Sequence, residues 1–210
     1  TALRIIYGNN RFSEDIDLDN HGLTWENFKK LIDSTKLFLE RDGYQIDVSM
    51  IERAAYHCYI RFPRILFENG ISPIRDEKIL IRLDSIDQGY DYEPEIKLLN
   101  KFDVFTQIRV SPLPVLLSQK IFAAVNRKRA KGRDFYDITF LLGRTKPDYG
   151  YLQEKLGVDS PEALRKSVFN KIRDFDFIAL AEDVRPFLIQ KAAEKRISLF
   201  REFWKQVDLD

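Results

Sequence analysis

NRFSEDIDLD, residues 10–19, places Asp15, Asp17 and Asp19 in alternation with apolar residues. A period of two is typical of a β-strand, so we expect the aspartates on one face of a sheet. Carboxylates at i and i+2 on a strand have Cα atoms about 6 to 7 Å apart, because the rise is about 3.3 Å per residue. Their oxygens can converge on one divalent cation, whereas bare carboxylates this close repel each other.

Asp84 is the candidate for a third metal ligand. It is the only acidic residue of KILIRLDSI, residues 78–86, a predicted strand that is otherwise apolar and basic. The alternative interpretation is that the aspartates of residues 15–19 form the solvated face of an antiparallel strand and that Asp84 has no special role.

The distribution of patterns along the chain predicts an α+β fold. Residues 25–41 have the apolar spacing of an amphipathic helix, and alternating β-branched and aromatic residues predict strands between Tyr44 and Val110. After SPLPV, residues 111–115, the remaining segments have helical spacing. We therefore predict a mixed β-sheet with flanking helices over residues 1–110 and a helical C-terminal region over residues 111–210.

Composition excludes several classes of protein. There is no run of about 18 apolar residues, so no membrane span is predicted, and the N-terminus does not resemble a signal peptide. The single cysteine, Cys58, cannot form an internal disulfide, which favours a reducing compartment and hence the cytoplasm. With 34 basic and 33 acidic residues, any polyanionic partner must bind to a local patch rather than to the protein's overall charge.

A second group of polar residues lies in the predicted helical region. Lys120 is followed by GRDFYD, residues 132–137, in which Asp134 and Asp137 are three apart on one helical face and Arg133 is four residues before Asp137. Each feature is also common on ordinary solvated helices: an acidic residue in a first turn favours the helix dipole, and Arg133 with Asp137 is a usual i, i+4 pair.

Taken together these segments resemble the AbiEii/AbiGii toxin family of nucleotidyltransferases, relatives of the DNA polymerase β-like fold. The resemblance rests on TALR, RFSEDIDLD, the strand aspartate, KIFAA and RKRAKGRDFYDI, in that order, and covers roughly residues 1–142. In the family a glycine pair leads into the TAL segment, and these glycines are absent from the sequence, so we expect a trimmed N-terminus.

The resemblance implies a role for each matching residue. Asp15, Asp17 and Asp84 are expected to bind Mg²⁺ or Mn²⁺ and to act in catalysis. Ser13 and Lys120 are expected to contact the triphosphate of an NTP. Arg133 and Asp134 match the family's RDxxD motif, and we expect them to contact substrate phosphate and to take part in catalysis, respectively.

The implied reaction is transfer of a nucleoside monophosphate from an NTP to an acceptor, with release of pyrophosphate. RNA, and tRNA in particular, is the favoured acceptor, with protein as an alternative, and the helical C-terminal region is expected to complete the active site. Members of the family act opposite a cognate antitoxin, protein or RNA, in bacterial toxin-antitoxin or phage-defence modules. Two other functions stay open: a catalytically silent nucleotide- or protein-binding module, and a metal-dependent phosphohydrolase.

Overall fold

The computed structural model describes residues 2–210. Its helices and strands, in chain order, are α1 (Ala2–Ile5), β1 (Asp15–Asp19), α2 (Trp25–Arg41), β2 (Asp47–Glu52), β3 (Tyr56–Pro63), α3 (Ile65–Glu68), β4 (Lys78–Ile86), β5 (Glu95–Lys101), β6 (Val104–Val110), α4 (Leu113–Asn126), α5 (Gly132–Leu142), α6 (Tyr149–Leu156), α7 (Pro161–Ile172), α8 (Phe177–Val184), α9 (Lys195–Ser198) and α10 (Phe200–Gln206). The predicted α+β fold is confirmed. None of the helices in residues 2–210 is long and apolar enough to cross a membrane.

The chain forms two compact units. The first unit comprises residues 13–91, and the second comprises residues 2–12 and 92–210. The first contains a four-stranded sheet in the order β1-β4-β3-β2, and the second contains the two-stranded β5-β6 sheet and the helices from α4 onward. These units are groups of residues in contact, so the division into regions 1–110 and 111–210 stays a prediction.

The core of the first unit lies between α2 and one face of the four-stranded sheet. Thr24 caps α2 by accepting a hydrogen bond from Asn27 N at 3.3 Å. Phe28 and Ile32, one turn apart, are buried against Cys58 and other apolar residues of β3. Burial of this face leaves the opposite face of the sheet to the polar residues, as the alternation of β1 predicts.

The core of the second unit is built on α5. Phe135 packs edge-on against Phe177 and Phe200, with ring centroids 5.1 and 4.8 Å apart. The N-terminal segment joins this unit through backbone hydrogen bonds: Phe12 N donates to Phe187 O, and Ile189 N donates to Asn10 O. These bonds fix the side chains just before Phe12 relative to α5.

Gly132, the first residue of α5, allows a close approach between helices. A Cβ atom at this position would lie 2.0 Å from the backbone oxygen of Leu180 and 2.7 Å from Cγ2 of Val184, both on α8. Only glycine leaves room for this contact, so the glycine of GRDFYD has a packing role.

We predict that Gly132→Ala destabilises the second unit by about 1 to 3 kcal/mol or more, because α8 must move away from α5. Gly143→Ala is the matched control, since its Cβ would meet nothing closer than Phe140 O at 3.7 Å. Urea unfolding followed by tryptophan fluorescence measures the free energy of unfolding of both variants. Both carry Trp25→Phe, so that the signal comes from Trp204 in the second unit. Equal stability of the two variants would contradict the packing role.

Candidate active site

The polar face of the four-stranded sheet brings together two of the predicted metal ligands. β1 pairs with β4 in parallel, and the register places Asp17 beside Asp84 and Asp15 beside Arg82. β3 pairs with the other edge of β4 and places His57 beside Asp84. Because residues opposite each other in a sheet share a face, these side chains form two adjacent polar rows.

Arg82 connects two of the carboxylates. Its Nη2 donates a hydrogen bond to Asp15 Oδ2 at 2.8 Å, and its Nε lies 3.2 Å from Asp84 Oδ2. The Nε atom is buried and has no hydrogen-bond partner, so Asp84 is held by charge rather than by an aligned hydrogen bond. The guanidinium therefore supplies the positive charge that these neighbouring carboxylates need.

Asp84 is also held on its other side. Its Oδ1 lies 2.8 Å from His57 Nδ1, so both of its oxygens have a partner. Asp17 is exposed, and the hydroxyl of Ser13 donates to the backbone oxygen of Asp15 at 3.3 Å. Ser13 thus lies next to the start of β1, with its side chain turned toward the strand backbone.

The chemistry of the donors fits a divalent cation such as Mg²⁺. Asp15, Asp17 and Asp84 carry carboxylate oxygens, the hard donors that Mg²⁺ prefers, on two neighbouring strands. Within residues 2–210, however, no group of three or more His, Cys, Asp or Glu side chains is arranged to hold a metal ion. The guanidinium of Arg82 lies against two of these carboxylates, Asp15 and Asp84.

A buried polar cluster lies in the second unit around Asp137. Its Oδ1 accepts hydrogen bonds from Asn9 Nδ2 at 2.9 Å and Arg11 Nε at 3.1 Å. Its Oδ2 accepts from Arg11 Nη2 at 2.9 Å and lies 3.2 Å from Lys120 Nζ. The side chain of Asp137 is fully buried, and this number of charged partners makes burial of a carboxylate tolerable.

The electrostatic balance keeps Asp137 ionised. Burial by itself raises the pKa of the carboxyl, but the positive charges of Lys120 and Arg11 and their hydrogen bonds outweigh burial, so the pKa of Asp137 lies below its ordinary value. Sequence spacing indicated Arg133 as a partner of Asp137, whereas the contacts seen in the structure come from Lys120 and from Asn9 and Arg11, which are more than 120 residues away.

Asp134 lies one helical turn before Asp137 and is also fully buried. Arg127 Nε is 3.1 Å from Asp134 Oδ2, yet within residues 2–210 neither carboxylate oxygen has a hydrogen-bond partner. Arg127 belongs to the basic run of residues 126–133. Its guanidinium points toward the buried Asp134. Lys128, Arg129 and Lys131 of the same run are exposed, and Arg133 is half-buried.

A family model described as "Nucleotidyl transferase AbiEii toxin, Type IV TA system" matches residues 1–204. The chain belongs to the AbiEii toxin family. It is accordingly a nucleotidyltransferase and a toxin of a toxin-antitoxin system, with an antitoxin as partner. A search of curated proteins and a search of solved structures each found no match.

Four residues of these clusters were not predicted from the sequence as parts of a site: Asn9, Arg11, His57 and Arg82. Arg82 could have been identified from the sequence, because it lies two residues before Asp84 on the predicted strand and therefore shares its face. No sequence pattern indicated Asn9 and Arg11. They contact Asp137 because the N-terminal segment pairs with residues 187–189.

We predict that Asp137→Asn lowers the free energy of unfolding at pH 7 by about 3 to 5 kcal/mol, because Arg11 and Lys120 lose their counter-charge. The pKa of Asp137 is lowered on folding, so its ionisation stabilises the protein above the ordinary aspartate pKa of about 4. This stabilisation disappears as the pH falls through the lower, folded-state pKa. The difference between wild type and variant should therefore shrink from pH 7 to pH 3.

Urea unfolding at both pH values, followed through Trp204 in the Trp25→Phe background, measures this difference. Asp159→Asn is the control, since Asp159 is an exposed carboxylate of the same unit. A loss of stability that stays constant between pH 7 and pH 3 would show that the charge of Asp137 is not what stabilises the unit.

Proposed function

We propose that this toxin transfers a nucleoside monophosphate from an NTP to an RNA acceptor and that it requires Mg²⁺ or Mn²⁺. The observation that carries the proposal is the parallel register of β1 and β4. It sets Asp17 beside Asp84, with Asp15 on the same face, in a chain of the nucleotidyl transferase toxin family.

In the proposed reaction the acceptor hydroxyl loses its proton to solvent and its oxygen forms a bond to the α-phosphorus of the NTP. The bond from that phosphorus to the β-phosphate oxygen breaks, and pyrophosphate leaves. A Mg²⁺ ion held at the site would neutralise triphosphate charge and would favour ionisation of the acceptor hydroxyl. Asp15, Asp17 and Asp84 are the residues that would hold it. In such reactions positioning and charge stabilisation account for most of the rate enhancement.

The contacts of the remaining predicted residues are compatible with binding of a nucleotide. Ser13 retains a hydroxyl that can donate to a phosphate oxygen, and Lys120 is about one quarter exposed although it pairs with Asp137. Ser13, Lys120 and Arg133 are proposed to contact the triphosphate, and Asp134 is proposed to act in catalysis. These four roles are taken from the family resemblance.

RNA is the proposed acceptor class, and tRNA is the first RNA to test. The exposed side chains of Lys128, Arg129 and Lys131 form a local basic patch on a chain whose net charge is only +1, and such a patch suits a phosphate backbone. Because NTPs and RNA are cytoplasmic, we place the reaction in the cytoplasm of a bacterium. There the cognate antitoxin, a protein or an RNA, would counteract it during phage defence or maintenance.

The test uses a variant that changes the site with little structural cost. We expect Asp17→Asn to reduce transfer of label from α-³²P-labelled NTPs to total bacterial RNA by about 100-fold or more in the presence of Mg²⁺. Asp17 is exposed, so the folded state should be retained. The matched control is Asp19→Asn, on the same strand and the same face, where Asp19 accepts a hydrogen bond from Gln88 Nε2 at 3.2 Å.

The products distinguish the competing functions. Label on RNA with the wild type and with Asp19→Asn, but not with Asp17→Asn, supports the proposal and identifies the nucleotide. Label that appears only as free NMP or NDP indicates a phosphohydrolase. NTP binding without turnover indicates a silent binding module, and full activity of Asp17→Asn contradicts the site assignment.

A further inference from the structure

Arg82 lies where a divalent cation would have to bind. Its guanidinium contacts Asp15 on β1 and Asp84 on β4, at 2.8 and 3.2 Å, and the register sets Arg82 directly opposite Asp15. An arginine side chain is permanently charged, so these contacts persist at every pH at which the carboxylates are ionised. The polar face therefore carries its own cation.

The contacts of Arg82 are of a kind that another cation can replace. The side chain of Arg82 is 39% exposed, so part of its guanidinium already faces solvent, although its Nε atom is buried against Asp84. Only one of its two carboxylate contacts is an aligned hydrogen bond, because the Nε facing Asp84 has no hydrogen-bond partner. Ion pairs that solvent can reach are weaker than fully buried ones, and a divalent cation attracts carboxylates more strongly than a single positive charge does.

The Asp137 cluster in the second unit differs from the sheet face in its burial. There the carboxylate is fully buried and accepts from Asn9 and Arg11 in addition to its contact with Lys120. Removing Arg11 or Lys120 would leave the buried carboxylate with less compensating charge, and removing Asn9 would take away a buried hydrogen bond. Exchange of a counter-ion is thus expected on the exposed sheet face and not at Asp137.

We propose that Arg82 is a resident counter-cation that competes with the divalent metal ion for Asp15 and Asp84, so that metal binding displaces its guanidinium. This inference rests on the proposed function, because it assumes that the metal ion binds to these carboxylates. Arg82 stabilises the sheet face in the metal-free protein and lowers its metal affinity. The toxin consequently holds its metal weakly until the guanidinium has moved away.

Binding of Mn²⁺ to the full chain, measured by isothermal titration calorimetry and by electron paramagnetic resonance of the free ion, tests the inference without relying on activity. We expect Arg82→Gln to bind Mn²⁺ about tenfold more tightly than the wild type, since the metal no longer has to break the two ion pairs. Arg82→Lys retains the charge but not the fork that spans both carboxylates, so its affinity should be intermediate.

The matched control is Arg61→Gln. Arg61 lies on the same face of the sheet, on β3, where it donates to Ser49 Oγ at 2.9 Å and lies over the ring of Tyr59. The variant removes an equal charge without touching Asp15 or Asp84, and its Mn²⁺ affinity should stay close to that of the wild type. An equal gain in Arg61→Gln and Arg82→Gln would overturn the inference, because it would reflect overall charge alone.

The melting temperature, measured with and without Mn²⁺, gives a second test and shows whether Arg82→Gln is folded. Without metal, Arg82→Gln should melt at a lower temperature than the wild type, because the carboxylates repel each other, and saturating Mn²⁺ should raise its melting temperature by more. If Arg82→Gln does not fold without metal, Arg82→Lys carries the affinity test. An affinity of Arg82→Lys equal to or below that of the wild type would then overturn the inference.

Asp17→Asn separates failure of this inference from failure of the proposed function. If the wild type binds Mn²⁺, Asp17→Asn does not, and Arg82→Gln equals the wild type, only the competition by Arg82 is wrong. If neither the wild type nor Arg82→Gln binds Mn²⁺, the metal site of the proposed function is wrong, and the inference fails with it.

Discussion

The parallel pairing of β1 with β4 is the constraint on which the sheet face depends. It sets Asp17 beside Asp84 and Asp15 beside Arg82, although 67 residues separate the members of each pair. A shift of the register by one residue would turn the aspartates of β1 toward the α2 side of the sheet, away from Arg82 and Asp84. The same pairing that gathers carboxylates also gathers the basic side chains that stabilise them.

Two ways of stabilising a carboxylate coexist in this toxin. Asp137 is fully buried, and the cations around it hold its pKa below the ordinary value against the effect of burial. The side chains of Asp15 and Asp84 are 20% and 12% exposed, and they share one partly exposed arginine. Burial makes the first arrangement costly to disturb, whereas solvent around the second lowers the cost of exchanging its cation. The first therefore serves structure, and the second suits a site that binds and releases ligands.

Much of the fold could be predicted from periodicity. Alternation over residues 15–19 and 78–86 predicted β1 and β4, and apolar spacing over residues 25–41 predicted α2. These patterns are local, because the repeat of a strand or a helix fixes which side chains share a face. The placement of Asp84 on the aspartate-bearing sheet followed from the same reasoning, and the register then set it beside Asp17.

The sequence by itself determined the elements, the membership of Asp15, Asp17 and Asp84 in one sheet, and the resemblance to the AbiEii toxins. Only the tertiary structure decided which charges neutralise one another. Arg82 spans two strands, and Arg11 reaches Asp137 across 126 residues of chain. Such contacts leave no periodic signal in the sequence, because strand order and backbone pairing between distant segments bring the partners together.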